Sequence, residues 1–246
     1  MNGEKVIEVN NLVKKFGSFV ANDNLSFDVY RGEIFGFLGA NGAGKTTALR
    51  ILSGLSKPSS GDVKVAGYDI YRNAEKVKRH IGYMCQKFSL YEDLTVAENI
   101  LLYGGIYGLP KKIIETKTTE LLEMLDFNAY RKRIIGDLPL GMRQKLAFAV
   151  AILHEPDIVF LDEPTGGVDP ITRRQFWEMI YKASADGITV FVTTHYMDEA
   201  EYCDRVCIMS EGRIVAIDSP SELKNKYQSV SVQEVFVKIA RPSNNN

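Results

Sequence analysis

IFGFLGANGAGKTTALRIL, residues 34–52, passes from an apolar run (Ile34 to Leu38) through a glycine-rich turn into a segment of helical spacing at Thr46, Leu49, Ile51 and Leu52, which stops near Gly54. Within it Gly39, Gly44, Lys45 and Thr46 have the spacing of a phosphate-binding loop. Glycines let the backbone curl so that its N–H groups point inward and form a nest for an anion. The helix that follows offers unpaired N–H groups and the positive end of its dipole to the same phosphates. Lys45 adds a mobile positive charge for the β and γ phosphates, and the Thr46 hydroxyl is a ligand for Mg²⁺. Gly39, Ala40, Asn41, Gly42, Ala43, Gly44, Lys45, Thr46 and Thr47 are therefore the expected seat of a nucleoside triphosphate.

The remainder of the chain has to supply the purpose of that site. Its 246 residues are 45% hydrophobic and 25% charged, an ordinary globular composition with room for one large domain or a core plus a subdomain. With 30 basic against 31 acidic residues there is no basic excess to argue for nucleic acid as a partner. The apolar run from Leu146 to Leu153 is too short to span a bilayer. MNGEKVIEVN at the N-terminus lacks the apolar region of a signal peptide, which predicts a soluble, unsecreted chain. Three cysteines, Cys85, Cys203 and Cys207, make no disulfide framework. Cys203 and Cys207 with His195 fit no common zinc spacing and read as buried free thiols, in keeping with a reducing compartment.

Alternation over residues 5–30, and again over DVKVAG after the turn KPSSG at 57–61 that follows the loop helix, predicts a small antiparallel sheet beside the phosphate loop. From about residue 86 the pattern turns helical. Residues 111–126 carry Ile113, Ile114, Leu121, Leu122 and Leu125 at helical spacing, and a long helix is expected from about Met142 to His154. Residues 86–154 therefore read as a helical insertion in an α/β core made of residues 1–85 and 155–246, all in one domain. DIVFLDEP (157–164) and ITVFVTTH (188–195) lack alternation, as strands buried on both faces of a parallel sheet do. Residues 170–185 and MDEAEYC read as helices, RVCIMSEGRIVAID as a hairpin turning at Glu211-Gly212, and Ser219-Pro220 as a helix start. The tail ending in PSNNN is expected to fray.

Three strands thus end in chemically capable groups, which a parallel sheet gathers on one edge. Asp162 is suited to hold the hydrated Mg²⁺ that Thr46 touches. Glu163, one residue further, can polarise a water aimed at the γ-phosphate, although strand-end Asp-Glu pairs also occur as solvated turns. His195 can donate to a γ-phosphate oxygen or serve only as a structural strand end. Phe16 before Gly17 reads as a core or turn residue, or as a platform for a nucleobase.

These motifs together resemble the nucleotide-binding subunit of an ABC transporter, over nearly the whole chain. The resemblance implies a P-loop NTPase (RecA-like) core with a mainly parallel sheet, an N-terminal antiparallel β subdomain and an inserted α-helical subdomain. GANGAGKTT is then the phosphate loop. Gln86 is the glutamine that touches Mg²⁺ and the attacking water, and FLDEP carries the metal-binding Asp162 and catalytic Glu163. GGVDP is the loop bearing Asp169, His195 is the switch histidine, and Phe16 stacks on the base. LPLGMRQ occupies the signature position, with Leu140, Gly141, Met142 and Asp169 as dimer contacts. Implied with it are ATP and Mg²⁺, a second nucleotide-binding chain (homo- or heterodimer), a transmembrane permease subunit, and a place on the cytoplasmic face of the membrane. Phe88, Leu90, Tyr91 and the LTVAEN stretch are candidates for the permease contact, or else subdomain core.

DEAEYCDRVCIMSEGRIVAIDSPSEL most resembles the ABC-2 type exporters, drug-efflux members among them. One departure stands out: the usual Leu-Ser-Gly-Gly of the signature is Leu138-Pro139-Leu140-Gly141 here. Pro139 has neither hydroxyl nor N–H, and losing one charge-assisted hydrogen bond would cost about 1.5–3 kcal/mol of closed-dimer stabilisation. Pro is favourable at a helix start, so the helix itself is expected to persist. Two alternatives accompany the exporter motor: an ATPase of this type acting on ribosomes or DNA, and a weakly hydrolysing, ATP-gated clamp.

Overall fold

The phosphate-loop strand occupies the middle of a six-stranded sheet. The computed structural model describes residues 3–86 and 90–240. A four-stranded antiparallel sheet, ordered β2-β1-β4-β5, is built from β1 (Lys5–Phe16), β2 (Phe19–Tyr30), β4 (Ser60–Val65) and β5 (Tyr68–Asp69). The larger sheet is ordered β10-β9-β3-β8-β7-β6, from β3 (Ile34–Gly39), β6 (Ile81–Met84), β7 (Ile158–Asp162), β8 (Thr189–Thr194), β9 (Arg205–Ser210) and β10 (Arg213–Asp218). Its strands run parallel except β10, which returns antiparallel to β9 through a turn with Glu211 and Gly212 both at positive φ, 49° and 78°.

Strand β3 explains why the two sheets stack. Its six residues are all buried, and their alternation sorts them to two cores. Phe35 and Phe37 face the antiparallel sheet, where Phe27, Phe160 and Phe191 close around them with ring centroids 5.2–5.7 Å apart for the nearest pairs. Ile34 and Leu38 face the helical side, in a core shared with Val159, Val190, Phe148 and Trp177. Aromatic pairs at such distances add about 0.5–1.5 kcal/mol each beyond their burial. This core fixes the level of the loop that leaves β3.

Helices α1 (Lys45–Leu52), α2 (Ala74–Arg79), α3 (Val96–Ile106), α4 (Lys111–Met124), α5 (Leu140–Ala151), α6 (Pro170–Ala185), α7 (Pro220–Lys226) and α8 (Val232–Ala240) complete the chain. No strand occurs among the described residues between β6 and β7. The helix expected from Met142 begins two residues earlier, at Leu140, with the extended Pro139 as its N-cap residue. Ile113 is 43% exposed rather than on the buried face of α4, which Ile114, Thr118, Leu121 and Leu122 form at steps of three and four. MDEAEYC is a single 3-10 turn, Glu199–Tyr202, rather than an α-helix, ended where Cys203 turns extended. The spans of β6, α2, α3 and α8 had no counterpart in the sequence reading. Helix α6 matches its expected span, held by Asp169 as N-cap with Pro170 following. Among the described residues no helix is long and apolar enough to cross a membrane.

Candidate active site

The carboxyl ends of β3, β8, β7 and β6 are neighbours, with Leu38 beside Thr194, Thr193 beside Asp162, and Leu161 beside Met84. Everything the sequence singled out at strand ends therefore converges on one edge of the sheet. The turn after β3 ends at Gly44, whose φ of 96° suits glycine; a Cβ there would lie 2.3 Å from the Ala21 carbonyl oxygen. Asn22 of β2 clamps the same point, its side-chain amide donating to the Gly44 carbonyl at 3.1 Å. The antiparallel sheet thus holds the loop from one side and β3 from the other.

Lys45 is only 4% exposed. Its ammonium donates to the carbonyls of Gly39 (2.8 Å) and Ala40 (3.2 Å) and lies 3.5 Å from Glu163 Oε1. Burial pulls its pKa down, partly opposed by the Glu163 carboxylate. The Thr46 hydroxyl donates to Asp162 Oδ1 at 3.3 Å, and Thr193 donates to the same oxygen at 2.7 Å. Burial pushes the Asp162 carboxyl up, while these two hydroxyls pull the other way. A hydroxyl and a carboxylate converging beside a phosphate loop form the oxygen donor set of a hard cation, so the residues fit Mg²⁺.

Glu163 turns away from β7 with φ 50°, an uncommon conformation for a non-glycine residue. Its N–H is held by the Thr193 carbonyl and hydroxyl, both at 3.1 Å. That twist aims its side chain across the strand ends. Gln86 donates to Glu163 Oε2 at 2.9 Å, and His195 Nδ1 donates to the same oxygen at 2.9 Å. Lys45, Gln86 and His195 thus meet on one carboxylate. Asn41, Gly42, Gly44, Lys45, Thr46, Thr47, Gln86 and Glu163 line a cavity of about 380 Å³ together with Ala21 and Phe19.

Phe16 is not among those lining residues. It ends β1, 55% exposed, with Lys14 Nζ 4.9 Å from its ring, paired across the hairpin with Phe19. Phe19 escaped the sequence reading, since only the hairpin register places it at the cavity. Thr193 and Asn22 escaped it too. Thr193 follows a continuous apolar run in which no alternation marks one hydroxyl as inward.

The signature and the Asp169 loop lie together at one side. Gly141 sits so near α6 that a Cβ would come 2.4 Å from Thr172 Cγ2. Buried Gln144, one turn along α5 from Leu140, donates to the Gly166 carbonyl at 3.0 Å. Asp169 caps α6, accepting from the N–H groups of Ile171 and Thr172 at 3.0 Å and from the Thr172 hydroxyl at 2.6 Å. The Thr172 contacts hold its carboxyl below the usual range. Leu140 is partly exposed, Met142 half-buried, and Pro139 makes no side-chain cap hydrogen bond. Of the permease-contact candidates, Leu90 is buried and Tyr91 exposed, while Phe88 lies outside the described residues. Cys203 and Cys207 are buried free thiols whose pKa values burial raises.

Comparison with known proteins agrees with this geometry. Residues 22–166 match the family model described as ABC transporter. The chain is 49% identical over 222 residues to the probable multidrug ABC transporter ATP-binding protein YbhF of Escherichia coli (strain K12), covering 90% of this chain but 38% of that protein's length. It is 38% identical over 232 residues to the Nod factor export ATP-binding protein I of Ralstonia nicotianae, covering 94% of this chain and 72% of that one. Among solved structures, an ATP-binding subunit of an ABC transporter superposes with TM-score 0.87 at 28% identity, over 96% of this chain and all of the other. A dimeric ATP-binding cassette in a post-hydrolysis state with ADP and Pi superposes with TM-score 0.78 at 26% identity, over 87% and 98% of the two chains. On this evidence of sequence, fold and strand-edge geometry, the chain belongs to the ABC transporter family, as one of its ATP-binding cassettes.

Proposed function

We propose that the chain is the ATP-hydrolysing motor subunit of an exporter, working as a dimer around ATP and driving a separate transmembrane subunit from the cytoplasmic face of the membrane. The observation that carries the hydrolytic reading is the convergence of Lys45, Gln86 and His195 on the Glu163 carboxylate, beside the Thr46–Asp162 pair. The exporter reading draws on the names of the two relatives, and the dimer on the dimeric cassette.

In this reading the triphosphate lies along the loop from Gly39 to Thr47, with Phe16 or Phe19 against the base. Thr46 and Asp162 would hold Mg²⁺, with Gln86 at its edge; when bound, the ion neutralises charge on the β and γ phosphate oxygens. Lys45 turns from Glu163 to the γ-phosphate. Glu163 then accepts a proton from a water aligned with the γ-phosphorus. The water oxygen bonds to that phosphorus as the bridging P–O bond breaks, and ADP leaves with the electron pair. His195 holds Glu163 and the γ-phosphate in line, and Gln86 orients the water. Catalysis here is positioning and charge stabilisation in a water-poor pocket. The second chain would contribute Leu140, Gly141 and Met142 at its own α5 N-terminus, with Asp169 at the seam.

Glu163→Gln is expected to keep ATP binding, lower turnover by roughly 100-fold or more, and accumulate an ATP-bound dimer in size-exclusion chromatography. Hydrolysis at the parental rate would sink the assignment. A second reading has one observation in its favour: Pro139 makes no side-chain hydrogen bond where the usual signature has serine. The chain would then be a slow, ATP-gated clamp. If so, Pro139→Ser raises kcat by about 10-fold, from one recovered charge-assisted hydrogen bond of about 1.5 kcal/mol. Equal rates, at ordinary turnover, would eliminate the clamp.

A further inference from the structure

Glu199 is wholly buried, yet the phosphate site does not touch it. It opens the 3-10 turn after β8, and its carboxylate is fully engaged. Thr165 donates to Oε1, Thr194 donates to Oε2 at 2.6 Å, and Arg173 Nε lies 3.6 Å from Oε1. Burying a carboxylate is costly unless it is paired and hydrogen-bonded, and an apolar side chain would fill the same space at less expense. What an apolar residue could not do is accept from two separate segments at once. Thr165 lies two residues after Glu163, and Thr194 lies immediately before His195.

We propose that Glu199 is a positioning residue for hydrolysis, its carboxylate tying the segment after Glu163 to the segment before His195 and so fixing the two groups against each other. The proposal rests on the hydrolytic reading above. The tie matters because the His195–Glu163 hydrogen bond joins side chains just beyond the ends of two different strands. Glu163 leaves β7 in a left-handed conformation, so its direction depends on what anchors the residues just after it. Small displacements of reacting groups cost large factors in rate.

The Arg173 arm extends the tie to the seam where a second chain would dock. Arg173 is in the first turn of α6, its N–H donating to the carbonyl of Asp169 at 2.9 Å. Its guanidinium lies 4.3 Å from the Tyr196 ring centre, and that ring stands 4.2 Å from the His195 ring. Movement of the Asp169 loop would thus reach His195 through Arg173 and Glu199. Arg173 is also held by Asp198 Oδ2 at 3.4 Å, so what a neutral amide at Glu199 removes first is one of the two oxygens that accept from Thr165 and Thr194, while the shape is kept.

The test is steady-state ATP hydrolysis by the full chain with Glu199→Gln, Thr165→Val, Thr194→Val and Glu199→Gln combined with each threonine change. Glu199→Gln is expected to lower kcat roughly 10- to 100-fold with KM and ATP Kd changed less than about 2-fold. Each threonine variant lowers kcat alone, and combining it with Glu199→Gln adds little, because all act through one link. A parental rate in Glu199→Gln overturns the proposal. So does a loss of kcat matched by loss of ATP affinity and melting temperature, or losses that simply multiply in the double variants. If Glu199→Gln fails to fold, the threonine variants decide, and parental kcat in both overturns it. Absence of hydrolysis in the parental chain, or parental turnover in Glu163→Gln, would instead defeat the hydrolytic reading itself.

Discussion

Thr193 illustrates how much one buried hydroxyl can organise. Its side chain donates to Asp162 Oδ1 and accepts from the N–H of Glu163, while its carbonyl accepts from that same N–H. Valine has nearly the same volume, so Thr193→Val leaves the packing but strips Asp162 of its shortest hydrogen bond. We expect a loss of about 1–3 kcal/mol in stability and roughly 10-fold in kcat, read by chemical denaturation and ATPase assay. Unchanged kcat would mean that Asp162 and Glu163 hold their places without it. This residue marks where sequence reading stops. Gly39, Lys45, Thr46, Asp162, Glu163 and His195 were legible because each stands in a local pattern, a loop or the end of an apolar run. Thr193 acts on Asp162 and Glu163 and Glu199 on Thr165, partners 30 or more residues away, and Phe19 reaches the cavity only through the hairpin register; no spacing announces those.

At the scale of elements, the legible parts were those with chemical punctuation. Asp169 and Pro170 open α6 and Ser219 and Pro220 open α7, both as their types require. Helix α3 has punctuation as clear, in a stretch read for its aromatics and for docking instead. Thr95 Oγ1 accepts from the Glu98 N–H at 3.2 Å and Glu98 Oε2 accepts from the Thr95 N–H at 2.8 Å, a reciprocal capping box. Thr95→Ala is expected to destabilise the chain by about 0.5–2 kcal/mol in denaturant titration, with little effect on ATP affinity. The Thr95 hydroxyl and N–H hold the Glu98 carboxyl below its ordinary value. Its contribution is therefore present above the unfolded pKa and is lost as pH falls through the lower folded one. By contrast, the 3-10 turn at Glu199 opens on a buried carboxylate tied to Thr165 and Thr194, a tertiary contact that its helix-like composition does not announce.

For the whole molecule, the question is how the helices between β6 and β7 are fastened to the sheet that bears the site. His154 is one fastening. Its ring stacks on Tyr107, at the end of α3, with centroids 3.8 Å apart, and Nε2 donates to the carbonyl of Ile81 at 3.1 Å. Ile81 opens the strand that leads to Gln86. Burial pulls the His154 pKa below 6.5, with the Ile81 carbonyl acting in the opposite direction. The unfolded chain therefore takes up a proton near pH 6.5 that the folded chain refuses, and stability declines as pH drops from there towards the folded value. Melting temperatures between pH 7.5 and about 5 should fall more steeply for the parental chain than for His154→Phe, which keeps the stack but does not titrate. Parallel curves would remove His154 from that account. The two-sheet arrangement was legible from alternation in β1, β2 and β4, whereas this fastening pairs residues 47 and 73 positions apart.

The contact between Lys45 and Glu163 has a bearing on nucleotide traffic. The loop's ammonium is shared with a carboxylate 3.5 Å away, so the site carries an anion of its own at the mouth of the phosphate cradle. On the proposed hydrolytic reading, an arriving triphosphate would trade places with that carboxylate and free it for water, and a departing diphosphate would return the lysine to it. Entry and exit would then be swaps between two anions at one cation, and the carboxylate that would take the water's proton would also help to evict the spent nucleotide.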